Sequence, residues 1–124
     1  MANSILRDKS KDFAKQIVLV CRKIKSEQHE SVLTNQLLRC GTSIGANIHE
    51  AQYAQGTKDF ISKLEIALKE CYESEYWLDL LHETGYLPDD FFPPLRNDCG
   101  TIRRMLIASV TTAKNNQMHT ASFV

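Results

Sequence analysis

Proline and glycine, the two residues that most often interrupt helices, are scarce in this chain. All three prolines lie between positions 88 and 94, and only five of the 124 residues are glycine. Long stretches are therefore free to be helical. No run of alternating β-branched residues marks a strand, and no internal repeat or low-complexity tract is present. No apolar run approaches the roughly 20 residues a membrane span needs. The N-terminal MANSILRDKSKDF lacks the apolar core of a secretory signal. These absences predict a cytoplasmic protein with no membrane partner. There is no Cys-x-x-Cys pair, no HExxH, no Gly-rich phosphate loop and no Gly-x-Ser-x-Gly elbow. The expectation is a protein that is not an enzyme, with no catalytic residues, no cofactor and no metal. The four cysteines, Cys21, Cys40, Cys71 and Cys99, would fall at similar heights on four helices. Their spacing matches no zinc pattern, and free cysteine is commonly buried.

What is present is helical periodicity. The first segment, roughly residues 4–26, places Phe13, Ile17, Val20 and Ile24 on one face. The second, roughly 31–54, runs Leu33, Leu37, Cys40, Ile44, Ile48, Ala51. The third, roughly 58–83, uses Phe60, Leu64, Ala67, Cys71 and Leu78, and the fourth, roughly 91–114, uses Leu95, Cys99, Ile102, Leu106, Val110 and Ala113. Between them, SEQHE breaks the chain, Gly56-Thr57 reads as a terminal glycine followed by a capping threonine, and ETGYLPDD reads as a turn. Pro93 and Pro94 can sit only in the first turn of the last helix. The expected architecture is all-α: an antiparallel up-down-up-down four-helix bundle of about 35 Å. It occupies residues 1–114 as one domain, with residues 115–124 a flexible tail.

Charge sums to zero but is unevenly placed. Residues 1–25 hold seven basic residues against two acidic ones, and residues 57–84 hold seven acidic against three basic. Arg7, Lys11, Lys15, Arg22 and Lys25 fall within a sector of about 80° opposite the apolar stripe of the first helix. A basic ribbon of this kind tracks phosphates or attracts an acidic protein surface, and it also serves plain solubility. No aromatic residue interleaves with it in sequence, so base stacking is not expected.

The third helix carries a second apolar stripe, Ile66, Trp77 and Leu80, with Glu70 and Glu73 beside it. In a monomer this stripe would face solvent, which points to a homo-oligomer interface. Glu75 falls inside the main stripe and must be paired, with Arg39 or a backbone donor as candidates.

The second segment contains RCGTSIGANIHEA, residues 39–51. Gly41 and Gly45 flank its core stripe on one side, where a missing side chain lets a neighbouring backbone come close. Ser43, Asn47 and Glu50 flank the other side as a polar latch, bonding to one another or across an interface.

The pattern Ser43-Ile44-x-Ala46-Asn47-Ile48-x-Glu50-Ala51, together with ALKECYESEYWLDLL at 67–81, resembles the hallmark of the bacterial four-helix-bundle proteins of the 23S rRNA intervening-sequence family. The resemblance extends from about residue 10 to residue 113, and Cys40 and Gly41 stand where the family more often has small residues such as serine or alanine. It implies a homopentamer of four-helix bundles and no catalytic residues. The fold is also similar to the accessory variability protein of diversity-generating retroelements, a basic pentamer that binds nucleic acid and a reverse transcriptase. This chain departs from that relative in being neutral overall. The expected function is a non-enzymatic oligomeric binding module that contacts RNA, or a nucleic-acid-associated partner, through the first helix. The alternative is a structural adaptor for a protein partner.

Overall fold

The structure, a computed structural model, describes the backbone of residues 2–122 and the side chains of residues 4–118. It consists of four helices: α1 (Ala2–Gln28), α2 (Val32–Ala51), α3 (Thr57–Glu83) and α4 (Phe92–Ser122). No strand occurs among the described residues. Each helix packs on the next, and α4 returns to α1, closing a ring of four. Along every seam, one partner's number rises as the other's falls. Cys21 reaches the Thr34 carbonyl where Gly45 lies beside Ser10. Cys40 meets Ser74 where Glu50 meets Lys63. Asp79 pairs with Arg96 where Glu65 pairs with Lys114. Gln16 meets Asp98 where Lys23 lies over Phe91.

The apolar stripes converge on one core. Phe13, Ile17, Val20 and Ile24 from α1 are buried against Leu37, Cys40, Ile44 and Ile48 from α2, Leu64, Ala67, Cys71 and Leu78 from α3, and Leu95, Cys99, Ile102 and Leu106 from α4. Leu33, Phe60 and Ala113, at the ends of their stripes, are half-buried. Leu87, from the turn, is buried and plugs one end. All four cysteines are buried free thiols. Burial pushes Cys21 up to about 12 and Cys40 up to about 11, so neither is a nucleophile near neutral pH.

The ends follow local chemistry, with three departures from the sequence reading. Glu30 caps α2: its carboxylate accepts the Leu33 and Thr34 amides at 2.8 and 2.9 Å. Burial opposes the charge, but these bonds hold the Glu30 carboxyl below its ordinary value. The first departure is at α2, which stops at Ala51, followed by tight turns in which the Tyr53 and Ala54 amides donate to Glu50 and Ala51. Gly56 therefore does not terminate α2. It is the extended residue before α3, Thr57 is already helical, and Asp59 accepts the Gln55 amide at 3.2 Å. Gly85 is the glycine with a left-handed backbone (φ 86), and it lets the Tyr86 and Leu87 amides reach back to Leu81.

The second departure is α4, which does not stop near 114. It runs to Ser122, because KNNQMHTAS contains neither proline nor glycine to end it. Residues 123 and 124 of the expected tail, and Met1 of the expected domain, lie outside the described residues. Pro93 and Pro94 sit in the first turn of α4, where no amide donor is required.

The third departure is the partner of Glu75. This carboxylate is 7% exposed and is held by two α4 guanidiniums, Arg96 and Arg103, the latter with Nε at 3.1 Å. Arg96 also bonds Asp79 at 2.9 Å, and Arg103 lies 5.8 Å above the Tyr72 ring. Arg39 points instead across the α2–α3 seam to Glu73 and, at 3.4 Å, to Glu70. The reason is direction: Glu75 faces α4, whereas Glu70 and Glu73 face α2.

Candidate nucleic-acid interface

α1 turns its apolar stripe inward, so its opposite face is left to solvent. Arg7, Lys11, Lys15 and Arg22 are exposed on that face, and Lys25 is half-buried at its far end. From Arg7 to Lys25 the row spans about 27 Å at helical rise. Of the other cations, Lys23, Arg39, Lys63, Arg96, Arg103 and Lys114 form ion pairs with carboxylates, and Lys9, Lys58, Lys69 and Arg104 form none among the described residues. Among the described residues, none of the five ribbon side chains forms one. Asp12, which could have neutralised its neighbours, instead accepts the Gln16 amide at 2.9 Å. The ribbon therefore presents a row of positive charge, with Asp8 as the carboxylate beside its Arg7–Lys11 end.

One end of the ribbon opens into a groove between α1 and α2 with a volume of about 540 Å³. Arg7, Asp8 and Lys11 form one wall, and Gly45, Ala46 and His49 form the other. Close packing underneath makes the groove possible. A Cβ placed on Gly41 would lie 3.0 Å from Ile17 Cγ2, and one on Gly45 would lie 3.4 Å from the Ser10 carbonyl oxygen. Both glycines thus face α1, Gly45 against the Ser10 backbone and Gly41 against the Ile17 side chain in place of the expected backbone. Lys15, Arg22 and Lys25 lie farther along the ribbon, outside the groove.

The polar side of the same stretch behaves differently. Ser43 Oγ donates to the Arg39 carbonyl at 2.7 Å, and Asn47 Nδ2 donates to the Ser43 carbonyl at 2.9 Å. Both bonds stay within α2, and only Glu50 reaches another helix, through Lys63 at 3.0 Å.

The second stripe of α3 is less open than its sequence implies. Ile66 is 40% exposed, but Trp77 is half-buried against the core, and its indole N–H donates to Glu73 at 3.0 Å. Leu80 is half-buried as well. The Trp77 and Arg39 bonds hold the Glu73 carboxyl below its ordinary value. Tyr72 and Tyr76 remain exposed on an adjacent face. No group of three or more His, Cys, Asp or Glu side chains suited to a metal occurs among the described residues. None of the helices described is long and apolar enough to cross a membrane.

The family model for the 23S rRNA-intervening sequence protein matches residues 2–108, which takes in both motif stretches. The chain belongs to that family. A solved structure with the same fold is a protein of unknown function from the S23 ribosomal protein family of Bacteroides thetaiotaomicron VPI-5482. It is 46% identical, covers 90% of this chain and 99% of its own, and superposes with a TM-score of 0.87. No curated protein matches the chain.

Two features of this family member went unread in the linear sequence. Arg96 and Arg103, seven apart on α4, face Glu75 and Asp79, four apart on α3. That spacing was a usable signal, since both pairs recur on one helical face. Tyr53, 76% exposed just beyond α2, packs against His49 with ring centroids 5.4 Å apart. His49 lines the groove, so an aromatic pair stands beside the basic ribbon after all. The i, i+4 spacing signals the pair itself, whereas its place beside α1 is set only by the fold.

Proposed function

We propose that the protein is a non-enzymatic, homo-oligomeric four-helix module that binds RNA through the exposed α1 face. The observation carrying this reading is the α1 face itself: Arg7, Lys11, Lys15 and Arg22 lie exposed in one row and form no ion pair among the described residues, whereas Arg39 on α2 and Arg96, Arg103 and Lys114 on α4 are tied to carboxylates. Each phosphate neutralised by such a ribbon releases a condensed counterion, and that release drives association. Family membership supports the bundle, and the opposed numbering along every seam supports an antiparallel up-down-up-down arrangement. A pentamer is the assembly implied by the motif resemblance. The exposed Ile66, Tyr72 and Tyr76 supply apolar surface for it.

The test is the affinity for a labelled, structured fragment of ribosomal RNA measured across a salt series. The logarithm of the binding constant should fall linearly with the logarithm of salt. Replacing Lys15 and Arg22 with glutamate should weaken binding and flatten that slope by roughly one unit for each phosphate no longer neutralised. No binding at low salt, or an affinity indifferent to salt, refutes the reading. Loss of a co-purifying protein with the same variant, in place of RNA, would move the assignment to an adaptor.

A further inference from the structure

We infer that the groove between α1 and α2, extended by the His49–Tyr53 pair, is a site for single-stranded nucleic acid, with phosphate on Arg7 and Lys11 and a base stacked on Tyr53. The inference rests on the RNA-binding reading and makes it more specific, from a phosphate-tracking face to a site that takes unpaired bases.

Three independent observations meet here. First, the groove of about 540 Å³ falls within the range of roughly 300–1,000 Å³ that suits small organic ligands. Its lining includes Ala14, Gly45 and Ala46, which lack side chains long enough to fill it. Second, its α1 wall carries two unpaired cations, Arg7 and Lys11, against a single carboxylate, Asp8. That balance favours an anion, and the planar guanidinium can engage a phosphate with two parallel hydrogen bonds. Third, Tyr53 is a large aromatic residue left 76% exposed, and it is braced rather than free, because its ring packs against His49 at 5.4 Å with a tilt of 58°. Its backbone is also held, its amide donating to Glu50 at 3.0 Å.

An exposed, braced ring beside a cationic groove has the arrangement of a stacking platform. Every base offers a π-face to such a ring, so this contact tolerates any sequence. His49 adds an imidazole at the groove's edge, able to hydrogen-bond a base or a ribose hydroxyl. Duplex bases are already stacked on one another and cannot use Tyr53, so the site selects unpaired segments.

The experiment measures fluorescence anisotropy of short labelled oligonucleotides, ribo- and deoxyribo-, single-stranded and in blunt duplex form, at low salt. The wild-type protein should prefer the single strands. Tyr53→Ala should lose roughly 5- to 100-fold in affinity for them, in line with the removal of one base–aromatic stack. Tyr53→Phe should retain binding, since the ring is kept. Arg7→Gln should weaken single-strand binding and reduce its salt slope. Because Tyr53 lies outside the core, an unchanged circular dichroism melt confirms that its variants fold. A ribose contact from the groove would appear as tighter binding of the ribo-oligonucleotide.

Failures of the two readings separate cleanly. If Tyr53→Ala binds as wild type while the Lys15/Arg22 reversal weakens binding, the stacking site is overturned and the α1 face stands. Equal binding of duplex and single strand likewise overturns the site alone. If no oligonucleotide and no structured RNA binds at low salt, both readings fall.

Discussion

Gly41 and Gly45 look equivalent in sequence, four apart on one side of α2, yet they face different neighbours. A methyl group on Gly41 would meet the Ile17 side chain at 3.0 and 3.1 Å, and Ile17 is fully buried. On Gly45 it would meet the Ser10 backbone at 3.4 and 3.5 Å, close to ordinary contact. Overpacking a buried site costs about 1–3 kcal/mol, whereas replacing a helical glycine with alanine gains about 1 kcal/mol. Gly41→Ala should therefore destabilise the protein by about 1 kcal/mol, and Gly45→Ala should be neutral or stabilising by up to about 1 kcal/mol. Urea melts read as midpoint shifts at constant slope decide it. A stabilising Gly41→Ala would mean that the α1–α2 approach yields more than the Ile17 contact implies.

Single elements show where local chemistry is sufficient and where it is not. α2 begins with Ser31 in the capping position, but that serine makes no side-chain cap bond. Glu30 takes the role with both carboxylate oxygens. Its carboxyl is held below the ordinary 4.5 in the folded protein. A depressed carboxylate contributes stability that is present above its unfolded value and is lost as pH falls through the folded value. Glu30→Gln should thus cost about 1 kcal/mol near neutral pH. That gap should close as pH drops below 4.5 and through the lowered folded value. Thermal melts of both proteins across that window provide the measurement, and a gap that persists at the acid end would rule out the charged cap. The same scale explains the length of α4. Nothing in residues 114–122 breaks a helix, so the end of the apolar stripe near Ala113 did not mark the end of the helix. Periodicity locates buried faces, while caps and breakers locate ends.

At the scale of the whole molecule, the contest is between surface covered within the bundle and surface left for another copy. Arg39 and the core draw Glu70, Glu73 and Trp77 partly inward, so a Trp77 substitution would disturb folding as well as assembly. Ile66, 40% exposed on the same face, is the cleaner probe. Ile66→Glu should leave the helix content read by circular dichroism as in wild type, because Ile66 lies outside the bundle core. It should also shift the native mass, read by light scattering, toward smaller species. A wild type that is already monomeric, or an Ile66→Glu variant with unchanged mass, removes this face from the interface.

Much of this architecture was legible in one dimension. Phe13, Ile17, Val20 and Ile24 are buried because a 3.6-residue period places them on one face, and that period needs no knowledge of neighbours. Gly85 and the Pro93-Pro94 pair announced their turn and first helical turn for equally local reasons. Family membership was legible too, since the motifs at 39–51 and 67–81 are contiguous. What tertiary structure alone decided is which side chains meet across helices. Glu75 had to find a cation, but only the packing angle of α4 made it Arg96 and Arg103 rather than Arg39. The α1 ribbon was visible as a pattern, yet its freedom from ion pairs depends on where every carboxylate of the other helices points. Tyr53 falls at the end of the second helical segment in sequence, and only the close approach at Gly41 and Gly45 brings the end of α2 beside Arg7 and Lys11. Local propensity and periodicity act over a few residues, whereas a site assembled from two helices is set by how closely their backbones can pack.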